Sequence, residues 1–225
     1  MFEDLEINIK RSVRKTLSIY VERDGTISVL APKGLRRKNI DEILKQKEYL
    51  IYKYRAEWQG LNRSKKNREY ISGQSFMYLG RSYSLKLIDK LEKPLLLKDG
   101  RFFLLKSEKD NAKEHFINFY KEHGKIKILN RIEEFKNKID VNPGRVRIME
   151  LQNRWASCTA EGNINFHWKC IMAPYIVLDY IVVHELIHLI HKNHTQEFWN
   201  EVDKILPKYQ DSIAWLKSHG ASMDL

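Results

Sequence analysis

Alternating apolar and polar residues predict β structure in the first part of the chain. Such alternation gives each strand one face for a core, and a glycine in a tight turn joins two strands. The pattern predicts three hairpins: residues 16–30 around Asp24-Gly25, 76–88 around Gly80, and 95–105 around Asp99-Gly100. A helix is predicted from about Asn39 to Trp58, because apolar residues recur there at helical spacing.

From about Lys109 the apolar residues recur at helical spacing, which predicts a long helix that stops at Asn142-Pro-Gly144. The segments that follow are predicted as a strand at 145–151, a loop at 153–162, a returning strand at 163–169, a buried helix with Pro174 in its first turn, and a helix capped by Thr195. Strands and helices are therefore mixed in this part of the chain.

Polar residues interrupt the buried helix in the pattern His184-Glu185-x-x-His188. Two histidines four residues apart lie on one face of a helix, so both imidazoles can reach one Zn²⁺. Glu185, beside the first histidine, is the candidate general base. Burial of these ionisable groups costs several kcal/mol unless they are paired or bind a metal. The apolar context therefore favours a metal site over a set of core histidines.

A catalytic zinc needs a third protein ligand, and His194 is the candidate that we favour. It follows Asn193, which can adopt the left-handed conformation that ends a helix. Its spacing matches the metzincin pattern, although His191 stands where that pattern has glycine. His191 would be a ligand only if the helix ended early. A gluzincin arrangement would instead use a glutamate from a later helix, for which Glu197 and Glu201 are the weaker candidates.

The excess of basic over acidic residues indicates which kind of binding partner the chain favours. The chain has 40 Lys and Arg against 29 Asp and Glu, a net charge of +11. Such an excess favours acidic partners, nucleic acid among them. The basic residues cluster at 36–38, 63–68 and 121–138, and such clusters are usually solvated faces. These basic clusters are therefore either a plain solvated surface or a site of non-specific nucleic-acid binding.

Residues 1–11 lack the basic segment and apolar stretch of a signal peptide. No uncharged apolar run approaches the roughly 18 residues of a membrane span. Cys158 and Cys170 flank a predicted turn and could pair, but without an export signal the reduced state is expected. These features predict a cytoplasmic protein.

A set of short motifs extends beyond the histidines: Asn153-Arg-Trp-Ala-Ser-Cys158, Gly162-Asn-Ile-Asn165, Ala173-Pro174, Asp179 to His188, Asn193-His194 and Phe198-Trp199. Together they resemble the YgjP-like zinc metallopeptidase domain family, which is related to the SprT and Spartan group. The resemblance implies one zinc per chain, held by His184, His188 and His194, with Glu185 catalytic. Ala156 departs from the glycine that is usual in this family, and alanine is tolerated unless the position needs a positive φ.

Two roles remain open for the loop at 154–158. In one, Trp155 and Ser157 lie near the cleft and bind substrate, with the strand at 163–169 offering an edge to an extended peptide. In the other, Trp155 packs beneath the motif helix and Arg154 pairs with a buried carboxylate such as Asp179.

The expected fold class is α+β. A β-rich N-terminal region, 1–105, precedes a zincin-like catalytic domain, 106–225, whose motif helix packs on a small antiparallel sheet. The expected function is a zinc metallopeptidase acting on peptides or proteins. The alternatives are a zinc hydrolase of a non-peptide amide or ester, and a DNA-associated protein whose basic surface is its main feature. Kinship with Spartan would combine them as proteolysis of DNA-bound proteins.

Overall fold

The computed structural model describes residues 6–22, 26–52, 54, 68–151 and 154–225. It divides into two compact units, Met1–Lys66 and Asn67–Leu225. The strands between 75 and 105, which the sequence grouped with the N-terminal region, share one buried core with the helices of the second unit. The boundary at 106, where the sequence predicts the start of the catalytic domain, stays a prediction.

The first unit is a three-stranded sheet with a helix. Its elements are β1 (Ile7–Ser12), β2 (Ser18–Val21), β3 (Ile27–Pro32) and α1 (Arg37–Gln46), and the strand order is β1-β3-β2. Strands β2 and β3 pair antiparallel, which confirms the first hairpin, although Asp24 and Gly25 lie outside the described residues. Strand β1 was not predicted and runs parallel to β3.

The helix predicted from Asn39 to Trp58 is interrupted. Helix α1 ends at Gln46, Lys47 forms a turn, and residues 48–52 resume the helical conformation. Trp58 lies outside the described residues. Within α1, Ile40 and Leu44 are buried against the sheet, one turn apart on the same face.

The second unit contains a four-stranded sheet with both remaining hairpins. Its strands are β4 (Ser75–Tyr78), β5 (Arg81–Ile88), β6 (Leu95–Lys98) and β7 (Arg101–Leu105), in the order β4-β5-β7-β6. The pairs β4–β5 and β6–β7 are antiparallel, as predicted. Both two-residue turns have positive φ at their two central positions: Leu79 and Gly80 at 48° and 77°, and Asp99 and Gly100 at 49° and 72°. This conformation matches the right-handed twist of the strands that it joins.

The long helix α2 (Ala112–Ile139) packs one face on this sheet. Phe116 is fully buried and stacks on Phe76 of β4, with ring centroids 4.1 Å apart. The helix ends at Asp140, whose φ of 58° is the left-handed conformation typical of a helix end. It therefore stops slightly before the predicted residues 142–144.

A second sheet is formed by β8 (Val146–Met149), β9 (Ala156–Cys158) and β10 (Ile164–His167), in the order β8-β10-β9. The antiparallel sheet predicted here is wrong, because β10 runs parallel to β8 and antiparallel only to β9. Strand β9 lies inside the predicted loop and forms the hairpin with β10, so β8 pairs on the opposite side. The sequence predicted that the strand at 163–169 offers an edge to a peptide. Strand β10 lies instead in the centre of the sheet, and β9 is an edge strand.

Three helices complete the unit: α3 (Tyr175–Ile187), α4 (Gln196–Ile205) and α5 (Tyr209–His219). Thr195 is the residue before the first turn of α4, the predicted capping position, although its side chain makes no capping hydrogen bond. Pro174 directly precedes the first turn of α3, in which it was predicted to lie. Helix α3 is buried on nearly every side, and it is tied to α2 by an ion pair between Arg131 and Asp179 (Nε to Oδ1, 2.5 Å). Asp179 therefore pairs with Arg131 and not with Arg154, for which Asp179 was the example given in one of the two roles considered for the loop at 154–158.

Residues 220–225 pack into the same unit. The ammonium of Lys169, which is buried, pairs with Asp224 at 2.8 Å, and Met223 is fully buried. A Cβ on Gly220 would lie 2.8 Å from the indole of Trp155, so Trp155 packs closely against this glycine. The two cysteines, Cys158 and Cys170, are free, as expected.

Of the basic cluster at 63–68, Arg68 lies in the described part of the chain. It donates a hydrogen bond to the carbonyl of Ser75 at 2.7 Å and lies 5.2 Å from the centroid of Phe76. Nucleic-acid binding stays a prediction. Among the helices that the structure describes, none is both long enough and apolar enough to cross a membrane.

Candidate active site

Three imidazoles converge at the end of α3. His184 lies in its last turn and His188 follows the helix directly, one turn further along the same face. The Nε2 atom of His184 is 3.2 Å from that of His188 and 3.0 Å from that of His194. Two imidazole nitrogens on one tetrahedral zinc would be about 3.3 Å apart, given Zn–N bonds of about 2.0–2.1 Å. Two of the three nitrogen pairs therefore have about the spacing of zinc ligands, and all three ligand atoms lie within 4.8 Å of one another.

Hydrogen bonds at the far side of two rings direct their Nε2 atoms inward. His188 Nδ1 lies 3.0 Å from the carbonyl oxygen of His191, which can only accept, so Nδ1 carries the proton. His184 Nδ1 lies 3.5 Å from the hydroxyl of Tyr180. A proton on Nδ1 leaves the lone pair on Nε2, which is the tautomer that a metal ligand needs.

Aromatic side chains surround the histidine cluster. Phe198 of α4 is fully buried, and its ring centroid lies 4.9, 4.7 and 4.8 Å from those of His184, His188 and His194. Trp199 stacks on His194 with 5.6 Å between centroids. Burial, with the neighbouring imidazoles, lowers the pKa of His184 to about 3 and lowers that of His194. The rings of His184 and His194 are thus held neutral, as metal ligands must be.

Glu185 lies beside this cluster and is only 5% exposed. The backbone amide of Cys158 donates a hydrogen bond to its carboxylate, and Arg154 stabilises the charged form, but burial outweighs both and raises its pKa to about 7. Its Oε2 atom is buried without a hydrogen-bond partner among the described residues. A buried carboxylate oxygen without a partner costs free energy unless something else binds there. This oxygen is therefore free to accept a proton from a substrate or a water.

The carboxylate borders the edge strand β9. Two backbone hydrogen bonds set the direction of this strand: His167 N–H donates to the carbonyl of Trp155 (2.7 Å), and Thr159 N–H donates to the carbonyl of Asn163 (2.8 Å). Because alternate residues of a strand direct their backbone groups to opposite sides, those of Ala156 and Cys158 face away from β10. The amide of Cys158 binds Glu185, and Ala156 leaves its amide and carbonyl on the same edge. Ala156 has no positive φ, so its alanine is accommodated.

The histidines predicted from the sequence do converge. The position of His194 was predicted from a left-handed conformation of Asn193, and that reason is wrong. Helix α3 ends at Ile187, and Asn193 does not have a positive φ. Successive tight turns end the helix instead, since Leu189 and Ile190 donate to the carbonyls three residues earlier. The contribution of β9 was missed because its three residues lie in a segment without an alternating pattern.

The other ligand candidates lie outside the cluster. Among the described residues, the group that could hold a metal ion consists of His184, His188 and His194. His191 takes part through its backbone carbonyl, and the carboxylate of Glu201 pairs with Lys204 at 2.6 Å. Ser157 lies in the sheet opposite Asn165, and substrate binding by Trp155 and Ser157 stays a prediction.

A pair of substitutions distinguishes His194 from His191 as the third ligand. We expect His194→Ala to lower zinc retention steeply, because it removes one of the three converging nitrogens. His191→Ala should retain zinc, because the carbonyl that orients His188 belongs to the backbone and survives the change. Atomic emission on the two purified variants measures the difference. The opposite order of zinc loss would identify His191 as the third ligand.

A known protein family matches most of this chain. The family described as YgjP-like, metallopeptidase domain, matches residues 15–219. No protein of curated function matches the chain. Among solved structures, the metallopeptidase zymogen abylysin of Pyrococcus abyssi is similar, with 27% identity over 38% of this chain and 90% of that chain, and a TM-score of 0.36. The family match spans both compact units and contains the histidine cluster, and the chain therefore belongs to the YgjP-like metallopeptidase domain family.

Proposed function

We propose that the chain is a zinc-dependent peptidase, in which His184, His188 and His194 hold one zinc ion and Glu185 is the general base. The observation that carries the proposal is the position of a buried carboxylate oxygen without a partner beside three converging imidazoles. Three nitrogen ligands suit Zn²⁺ better than Mg²⁺ or Ca²⁺, which prefer oxygen. When bound, zinc supplies Lewis acidity to the scissile carbonyl and to the attacking water.

Glu185 has the features that proton transfer requires. One of its oxygens is held by the amide of Cys158, which fixes the carboxylate, and the other is free to accept a proton from the attacking water. A pKa near 7 matches a group that must first take a proton and then return it to the leaving amine. Burial raises the pKa of the neighbouring Cys158 thiol, which disfavours the thiolate that a nucleophilic cysteine would need.

The edge of β9 favours a peptide over other amides and esters. Because the backbone groups of Ala156 face away from β10, an extended peptide can add to this edge as a further strand, with hydrogen bonds to the main chain. Such pairing recognises several consecutive peptide units. The alternative, a hydrolase of a small non-peptide amide or ester, would gain nothing from this edge.

The test is cleavage of peptides of increasing length with and without metal. We expect removal of zinc by a chelator to abolish cleavage, and about one equivalent of Zn²⁺ to restore it, whereas Mg²⁺ and Ca²⁺ should not. Rates should rise from dipeptide amides to peptides of six or more residues. Products are identified by mass spectrometry. Cleavage by the metal-free protein would contradict the proposal, and equal rates on a single-residue amide would favour the alternative hydrolase.

A further inference from the structure

A groove of about 320 Å³ lies between the start of α3 and the segment that joins α4 to α5. It is lined by Ile176, Leu206, Pro207, Lys208, Tyr209 and Ser212, and nearly all of its exposed lining is apolar. The hydroxyl of Ser212 donates a hydrogen bond to the carbonyl of Ile176 at 3.3 Å, so its proton is used within the wall. Most of the lining suits an apolar group, because a charged group would lose hydration against it, and Lys208 is the charged residue among those that line the groove.

The groove lies on a face of α3 that adjoins the face of the histidine cluster, with Ile176 about 80° around the helix from His184. Ile176, Tyr180 and His184 occupy successive turns of the helix, each four residues after the last. Ile176 and His184 are therefore separated by about 12 Å along the helix axis, at a rise of 1.5 Å per residue. A ligand that extends along α3 from the cluster reaches the groove within a few residues.

Stacked rings join the groove to the cluster without a gap. Tyr209, which lines the groove, stacks on Tyr180 at 6.3 Å and on Trp199 at 5.4 Å between centroids. Tyr180 and Trp199 each contact the ring of His184, at 5.7 and 6.0 Å. The wall of the groove and the wall of the histidine cluster are thus joined by contacting aromatic rings.

We propose that this groove is a specificity pocket that binds a large apolar side chain of the peptide substrate. The proposal rests on the peptidase function proposed above. A distance of about 12 Å corresponds to roughly four residues of an extended chain at about 3.3 Å per residue, so the bound side chain lies within about four residues of the scissile bond. The groove volume accommodates a leucine or phenylalanine side chain.

Ile176→Trp fills the groove and tests the proposal. Ile176 is 56% exposed, so a larger side chain there does not disturb the core. In a library of octapeptides, wild type should prefer leucine or phenylalanine over alanine at one position near the scissile bond. We expect Ile176→Trp to lower the ratio of kcat/KM for leucine over alanine at that position by about 10-fold or more, since lost apolar contacts in a pocket change rates by about 10–200-fold.

Two further variants sharpen the result. Ile126→Trp is the matched control, because Ile126 is 55% exposed on α2, and it should leave the ratio unchanged. Ile176→Ala enlarges the groove and should shift the preference toward phenylalanine.

A wild-type enzyme without an apolar preference, or a ratio unaltered by both changes at Ile176, would overturn the specificity pocket and leave the peptidase intact. Failure of the zinc-loaded wild type to cleave any peptide would overturn the proposed function and the pocket with it.

Discussion

Replacing Glu185 by glutamine is expected to lower kcat for peptide hydrolysis by about 100- to 10,000-fold, the usual contribution of general acid–base catalysis. Glutamine keeps the shape of the side chain, and its carbonyl oxygen can still accept the hydrogen bond from Cys158. Its amide nitrogen, placed where the partnerless oxygen lies, can donate but cannot take a proton from water. Zinc content should stay at about one ion per chain.

The matched control is Glu122→Gln, the same chemical change at an exposed glutamate of α2. It should leave both kcat and zinc content unchanged. Stopped assays with one good peptide substrate, together with atomic emission on the same samples, separate loss of the base from loss of the metal. Near-normal turnover by Glu185→Gln would show that another group accepts the proton.

Replacing His188 by alanine is expected to weaken zinc binding by more than about 100-fold, because loss of an outer-shell partner alone typically costs 10- to 100-fold in metal affinity. His184 and His194 would then supply only two of the three protein nitrogens that the proposed zinc site uses. Activity should be lost with the metal. Zinc affinity is measured by competition with a chromophoric chelator, and circular dichroism reports whether the fold is retained.

His219→Ala provides the comparison for this variant. His219 is exposed, stacks on Trp215, and lies outside the histidine cluster. Its loss removes an imidazole from the chain without removing one of the converging nitrogens, so zinc affinity should match that of wild type. Full zinc occupancy in His188→Ala would refute the ligand assignment.

The sequence predicted what depends on local spacing. His184 and His188 are one turn apart on a helix, and Gly80 and Asp99-Gly100 are residue types that readily adopt positive φ. Each of these features depends on residues within a few positions of one another, so a pattern in the sequence is sufficient to identify them.

What the sequence did not predict depends on contacts between distant residues. The partner of Asp179 is Arg131, which is 48 residues away. The amide of Cys158 that binds Glu185 belongs to a three-residue strand, too short for an alternating pattern. Whether β10 is a central or an edge strand depends on which segments pair with it, and nothing in its own residues distinguishes the two.

The proposed ligands and the proposed base differ in how they are assembled during folding. The imidazoles of His184 and His194 are ten residues apart, so closing that loop is entropically cheap and fast. The carboxylate of Glu185 reaches its final orientation only when β9 has docked beside α3, which is a long-range contact. A folding chain can therefore bring the proposed ligands together through local contacts before the long-range contact with β9 orients the proposed base.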